Sequence, residues 1–322
     1  MPLETRENIN LFFKNPWYNG KMSGRKSPYR FIFYSVIFAI IAATMILKRA
    51  APIVSPIPES NPWEGILSLF QTKKDPEVLK KKILDEAGST WSNYSFFVKG
   101  INSDFTLSIN SSVIFTGASV NKLAILAALY ALASKGDVDL TKTITLQESD
   151  IQDYGTGSIR YDQPGTSYTV KTLARLMCQK SDNTAAYILG RQVIGFPKIQ
   201  DLINSWGLTQ TDMEKNETSN ADMALLMEKI YKGKITSPPL TQEMLSFLTD
   251  TDIEDRISGL LPPGTLVYHK TGNGIGYVHD IGIVKAPKTT YYIGILTSDV
   301  KDEKTTSQKI ATLSRITYDF LR

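Results

Sequence analysis

The stretch Leu123 to Ala133 reads LAILAALYALA, without a charged or strongly polar residue. A helix that is apolar all round has no face to give to water and must be covered on every side. It is also well short of the roughly 20 residues that cross a bilayer. The chain must therefore wrap a core around this segment. With 322 residues and a 42% hydrophobic composition it has the material for one large or two modest globular units.

The residues leading into that run are Gly117-Ala118-Ser119-Val120-Asn121-Lys122. If Ser119 opens the helix, Lys122 lies one turn further along the same face, within side-chain reach. A serine alcohol attacks poorly unless a base takes its proton, and a lysine serves as that base only when burial or neighbouring cations lower its pKa. The apolar run supplies the burial. Ser-x-x-Lys alone recurs by chance and decides nothing. Here Ser181-Asp182-Asn183 and Lys270-Thr271-Gly272 follow it in that order.

Other chemistries have less to stand on. His269 and His279 are the two histidines, and neither has metal-ligand spacing. A Ser-His-Asp triad would need one of them; His279-Asp280 reads as strand-end polar residues, with no nucleophile elbow around a serine. Gly272-x-Gly274-x-Gly276 follows a strand-like run but precedes another one, not a helix, which argues against a phosphate loop. The single cysteine, Cys178, allows no intrachain disulfide and reads as a buried small hydrophobe.

The net charge of +4 comes mostly from the N-terminal end, so no broad nucleic-acid-binding face is expected. Residues 31–47 are uncharged and, as a helix, about 26 Å long, the low end of a membrane span. Lys14, Lys21, Arg25, Lys26 and Arg30 on one side outweigh Lys48 and Arg49 on the other. The expectation is a retained anchor at 31–48 behind a basic cytoplasmic segment of residues 1–30, with everything after it extracytoplasmic. A signal peptide is the competing reading, with Ala50-Ala51 as its cleavage option. Pro52, Pro56, Pro58 and Pro62 make residues 49–75 a spacer, leaving 76–322 as the catalytic domain.

Within that domain Asp75-Pro76-Glu77 starts a helix that Gly88 stops, with Val78, Leu79, Ile83 and Leu84 as its apolar face. Residues 94–99 and 105–110 read as a hairpin. Residues 138–168 form an irregular crossing. Thr169 caps a helix through Cys178, and a new helix runs from Thr184 to about Val193, so Ser181-Asp182-Asn183 sits in the loop between them. Helical patterns recur at 198–206, 219–232 and 241–248, with Ser219 as a cap. Residues 265–270, 277–284 and 291–297 read as an antiparallel meander, and a last helix carries Ile310, Leu313, Ile316 and Phe320. Strands at both ends with helices between them imply an α/β (α+β) fold: one antiparallel sheet flanked by helices, plus a helical subdomain.

From about residue 76 to the end the chain resembles the class A serine β-lactamase and penicillin-binding protein (DD-peptidase) superfamily. The resemblance rests on the three motifs in order, the preceding hairpin, the run Ser-Asp-Asn-Thr-Ala-Ala at 181–186, and the Lys-Thr-Gly strand followed by two more. It implies Ser119 as the acylated nucleophile and Lys122 as its proton acceptor, with Ser181 passing a proton to the leaving nitrogen. Asn183 would hold the substrate side-chain amide. Lys270 and Thr271 would engage the substrate carboxylate, and Gly272 would leave room for substrate along the strand. The N–H groups of Ser119 and Asn273 would form the oxyanion hole. Asp182 would tie its loop down.

One departure matters. Class A enzymes carry a Glu, with Asn four residues later, that positions the deacylating water. Between Gly207 and Asp222 this chain offers Glu214 and Glu217, but residue 218 is Thr and residue 221 is Ala, and the stretch is short. Glu217 is the carboxylate carried forward for that task; a place in the solvated first turn of the next helix accounts for it equally. Three functions follow: an anchored β-lactamase, a penicillin-sensitive DD-peptidase acting on peptidoglycan stem peptides, or a sensor acylated once. The resemblance implies no cofactor, and a monomer is expected.

Overall fold

A computed structural model describes residues 74–322. The 31–47 run and nearly all of the proposed spacer lie outside the described residues. Among the described residues no helix is long and apolar enough to cross a membrane.

The first helix, α1 (Pro76–Ala87), is capped by Asp75, whose carboxylate accepts from the Glu77 N–H at 2.9 Å. Proline in the first turn costs nothing there, because that N–H has no partner in a helix anyway. Its buried stripe is Leu79, Ile83 and Ala87. Val78 and Leu84, expected on the apolar face, are instead about half exposed: the side that docks is set by the i, i+4 pair Leu79 and Ile83.

Five antiparallel strands form the main sheet, in the order β2-β1-β9-β8-β7. They are β1 (Asn93–Gly100), β2 (Thr106–Ile109), β7 (Leu266–Gly274), β8 (Tyr277–Lys285) and β9 (Thr290–Ser298). Chain ends thus meet in the middle of the sheet, where β1 pairs with β9 through Asn93↔Ser298 to Gly100↔Tyr291. Side chains alternate between faces with period two. Val278, Val284, Tyr291, Ile293 and Ile295 join α1 and the last helix, α8 (Glu303–Leu321), in one core. Ile281, Ile283, Tyr292 and Leu296 join the helical part in the other.

The helical part is built on α2 (Lys122–Lys135). All residues from Lys122 to Leu132 are buried, as the unbroken apolar run requires. Gly136 ends it in the left-handed conformation at φ 81°. Around it stand α3 (Val170–Gln179), the short α4 (Asn183–Tyr187), α5 (Phe196–Ser205), α6 (Asn220–Tyr231) and α7 (Pro238–Ser246). Two small ladders complete the fold: β3 (Ile114–Thr116) with β6 (Glu217–Ser219), and β4 (Thr143–Thr145) with β5 (Ser167–Thr169).

Three sequence expectations need correction. The strand expected to stop at Lys270 runs on through Gly274, because Thr271, Gly272 and Asn273 pair with Asp280, His279 and Val278; cross-strand pairing overrides the low strand propensity of glycine. Glu217 is not in a helical turn: it lies in β6 opposite Thr116, and α6 starts at Asn220 with Ser219 as its cap. His279 and Asp280 are not strand-end residues but fully buried in β8.

Candidate active site

Ser119 sits in a tight 3-10 turn, Ala118–Asn121, that leads directly into α2. The turn is held from three directions. The Gly117 N–H donates to Asn216 O at 2.6 Å, the Asn121 amide donates to Asn216 Oδ1 at 2.9 Å, and His279 Nε2 donates to Thr116 O at 2.8 Å. Ala118 is forced to φ 47°, a region that costs a non-glycine residue about 1 kcal/mol or more. The first hydrogen bond of the turn is Val120 N–H to Gly117 O. The Ser119 N–H precedes it and meets no acceptor among the described residues, as expected for the open end of a helical segment.

Ser181 also has a positive φ, 51°, in the short connection between α3 and α4. Asp182 holds that connection. One carboxylate oxygen accepts from Ser158 N–H at 2.7 Å and Ile159 N–H at 2.9 Å, and the other caps α4 by accepting from Ala185 N–H at 2.9 Å. A side chain at Gly157, where φ is 122°, would collide with Asp182. Asp182 therefore ties the 155–161 segment to α4, the structural role the resemblance implied.

Lys122 and Lys270 converge on Ser181. Lys122 Nζ lies 3.3 Å from Ser181 Oγ and 2.8 Å from Asn183 Oδ1, and also donates to Ser181 O. Lys270 Nζ donates to Ser181 Oγ at 3.0 Å. Both lysines are buried. Burial, and then the Lys270 charge, hold Lys122 well below the ordinary lysine range. Burial brings Lys270 down to about 8. Ser181 O and Asn183 Oδ1 each accept a hydrogen bond from Lys122 Nζ. Lys122 Nζ rests on Ser181 and Asn183 rather than on Ser119, whose side chain is half-buried one turn away.

The edge strand β7 closes the site from the other side. Gly272 packs so tightly on the turn that a Cβ there would come within 3.3 Å of Ala118 Cβ, Gly117 O and Val120 Cγ1. Asn183 Nδ2 donates to Tyr154 O at 2.9 Å, which fixes its amide. The Asn273 side chain donates to Glu303. Thr271 lines a cleft of about 350 Å³ that also touches Lys270 and Ser181 and extends toward Arg160 and Tyr161. Ser181 lines that cleft and Ser119 does not. Among the described residues no three His, Cys, Asp or Glu side chains converge as a metal-ligand set.

Glu217 stands apart from this group. It is half-buried; Asp212, and after it Glu217, raises the pKa of the exposed Lys215, while Lys122 bonds to Ser181 and Asn183. Glu214 pairs with Arg191 at the surface, 3.1 Å away.

Sequence reasoning missed a buried polar group under β7. His269 Nδ1 lies 3.0 Å from Asp280 Oδ1, and its Nε2 lies 3.2 Å from Glu254 Oε1. Burial opposes the imidazolium, but Asp280 and Glu254 outweigh it and raise His269 to about 9. Because strand neighbours face opposite ways, His269 works on one side of β7 while Lys270 faces Ser181 on the other. The detectable signal was a histidine and an aspartate embedded in apolar strand runs, where a polar side chain needs a partner.

Known proteins place this arrangement. The beta-lactamase enzyme family model matches residues 78–321. The chain belongs to the beta-lactamase enzyme family. Among its curated relatives, beta-lactamase VEB-1 of Pseudomonas aeruginosa is 24% identical over 68% of this chain and 82% of that protein. Extended-spectrum beta-lactamase PER-1 of Pseudomonas aeruginosa is 25% identical over 79% and 90%. Among solved structures, a mutant of PBP-A in an acyl-enzyme complex with penicillin G is 27% identical, covers 76% of this chain and 96% of that one, and superposes with a TM-score of 0.69. The fold expected from the order of strands and helices, an antiparallel sheet with flanking helices and a helical part, is the fold of this beta-lactamase-family chain.

Proposed function

We propose that this beta-lactamase-family protein opens β-lactam amide bonds by acylation of Ser119. Ser119 Oγ attacks the lactam carbonyl carbon; the new C–O bond forms, the C–N bond breaks, and the hydroxyl proton ends on the leaving nitrogen. Lys122 takes that proton from Ser119, and Ser181 passes one to the nitrogen. The N–H groups of Ser119 and Asn273 receive the negative charge on the carbonyl oxygen. Lys270 and Thr271 hold the substrate carboxylate, Gly272 leaves the strand edge clear for substrate, and Asn183 orients the acyl side chain through its amide. The observation that carries this reading is the meeting of two buried amines on one hydroxyl, at 3.3 Å and 3.0 Å from Ser181 Oγ. The amine held well below the lysine range is the natural base, and the amine at about 8 keeps its proton at neutral pH.

A second reading, a penicillin-sensitive peptidase or sensor with a persistent acyl-enzyme, is favoured by one observation. Lys122 Nζ bonds to Ser181 and Asn183 and to neither Glu214 nor Glu217, and residues 207–216 form a short connection braced on Asn121. The test is to add penicillin G to the purified full chain and follow its intact mass. A penicillin adduct that forms and disappears within a turnover supports the β-lactamase. An adduct that persists for hours supports the second reading, and D-alanine release from a stem peptide then identifies a peptidase. An adduct that still forms on Ser119→Ala overturns both. We further propose a monomer without cofactor, held at the membrane by residues 31–47 with residues 76–322 outside the cell. Carbonate extraction and protease accessibility of intact cells test that topology.

A further inference from the structure

The cleft beyond Ser181 has a wall that the acylation chemistry does not use. Arg160 lies in the segment that Asp182 ties down, and its guanidinium is fixed in place. One N–H donates to Gly155 O at 2.8 Å, another donates to Tyr161 Oη at 2.6 Å, and the guanidinium carbon sits 4.8 Å from the Tyr161 ring centroid. Its Nε is buried and has no acceptor among the described residues. Among the described residues no carboxylate pairs with Arg160 either. The neighbouring Asp162 accepts instead from Tyr168. Across the cleft Lys180 is joined to Asp252 at 2.9 Å, so that pair carries no net charge. Arg160 is thus a pre-ordered cation on the wall of a cleft whose size is at the low end for small-molecule sites.

Direction decides what enters. If Ser181 hands its proton to the leaving nitrogen, the cleft that Ser181 lines and Ser119 does not receives the leaving half of the substrate. We infer that Arg160, with Tyr161, forms a subsite for a second acidic group on that leaving half, distinct from the carboxylate assigned to Lys270 and Thr271. This rests on the proposed acylation of Ser119. The ligand class is a β-lactam or acyl-peptide whose leaving portion carries an additional carboxylate or comparable anion. A guanidinium suits that task because its planar donors match a carboxylate and its charge does not titrate. Tyr161, 72% exposed, gives the flat apolar part of such a group a surface to lie on.

The experiment uses the full chain and two cephalosporins with the same acyl side chain, one with an acidic and one with an uncharged isosteric 3′ substituent. The second-order rate of Ser119 acylation is read for each by intact mass or by competition with a fluorescent penicillin. The acidic probe is expected to react about tenfold faster at low salt, the preference shrinking at about 1 M salt, where the screening length is about 3 Å. In Arg160→Gln the ratio of the two rates should fall to about one, whatever happens to either rate alone, and Arg160→Lys should restore part of it. Equal rates for the two probes in the unsubstituted protein, or a ratio untouched by salt and by Arg160→Gln, overturn the subsite while leaving the acylation chemistry standing. No adduct with either probe overturns both.

Discussion

On one flank of Ser119, three segments far apart in the chain bring two amines, a hydroxyl and a carboxamide within hydrogen-bonding distance of each other. On the other flank, residues 207–219 make a short connection and a two-strand ladder, with Glu214 paired to Arg191 and Asp212 to Lys215 at the surface. The first flank is dense, buried and electrostatically tuned; the second is braced by the Asn121–Asn216 hydrogen bond, and none of its carboxylates bonds to Lys122, Ser181 or Lys270. On the proposed chemistry acylation and deacylation draw on different flanks: the first on groups that α2, the α3–α4 connection and β7 supply, the second on a further carboxylate that the other flank would have to present.

The largest expected effect tests the dense flank. Ser119→Ala should abolish covalent penicillin labelling, and Lys122→Ala should lower the acylation rate by about 10³-fold, the range of a positioned general base. Labelling within tenfold of normal in Lys122→Ala would dissolve the contrast, since the tuned amine would then be idle.

Next comes the strut between the flanks. His279 donates from Nε2 to Thr116 O and accepts at Nδ1 from Thr297 N–H at 3.1 Å, so it holds β3, which leads into the Ser119 turn and pairs with Glu217. Burial pushes its pKa down to about 4. The unfolded histidine binds a proton below about 6.5 and the folded one only below about 4. Stability should therefore fall as pH drops through that window, by about 3 kcal/mol for this group. Urea denaturation at pH 7 and pH 4 measures it, and His279→Gln should lose that part of the slope. His269 acts oppositely. Raised to about 9, it contributes fully below about 6.5, and its contribution disappears as pH rises to about 9.

A smaller effect sharpens the picture of the two amines. Acylation should rise with pH as Lys122 loses its proton and fall again near pH 8 as Lys270 does. In Lys270→Arg the alkaline fall should vanish, because a guanidinium stays charged, at a loss of about tenfold in rate at pH 7 from altered geometry. An unchanged alkaline limb would show that another group sets it. The smallest effect belongs to the sparse flank. Glu217→Gln should leave the lifetime of the acyl-enzyme within about twofold, as judged by the rate of adduct loss. A lifetime extended a hundredfold would make Glu217 the water-activating base after all and erase the difference between the flanks.

Much of this was legible in residue order. The all-apolar run of α2 demanded burial, and every position from Lys122 to Leu132 has it. Asp75, Thr169 and Ser219 announced helix starts, since a short side-chain oxygen beside a new helix satisfies an otherwise free N–H. Other features were not. Glu217 reads as a helical residue by its distance from α6 and becomes a strand residue only because Thr116 lies opposite it. The Lys270-Thr271-Gly272 motif looks like the end of a strand until β8 pairs with it through Gly274. His269, Asp280 and Glu254 have no local pattern that links them, and nothing around Arg160 marks it as a cleft residue.

Residue order alone determined the chemistry on offer: a hydroxyl with an amine one turn away, two further polar motifs, and enough apolar sequence to bury them. Tertiary structure alone decided which groups meet, which lysine is held furthest from its ordinary pKa, and that Asp212 and Glu214 pair with surface cations. The reason is physical. Helix starts and apolar periodicity are short-range properties written within a few residues, whereas desolvation and charge coupling depend on distances of a few ångströms between atoms that the chain separates widely.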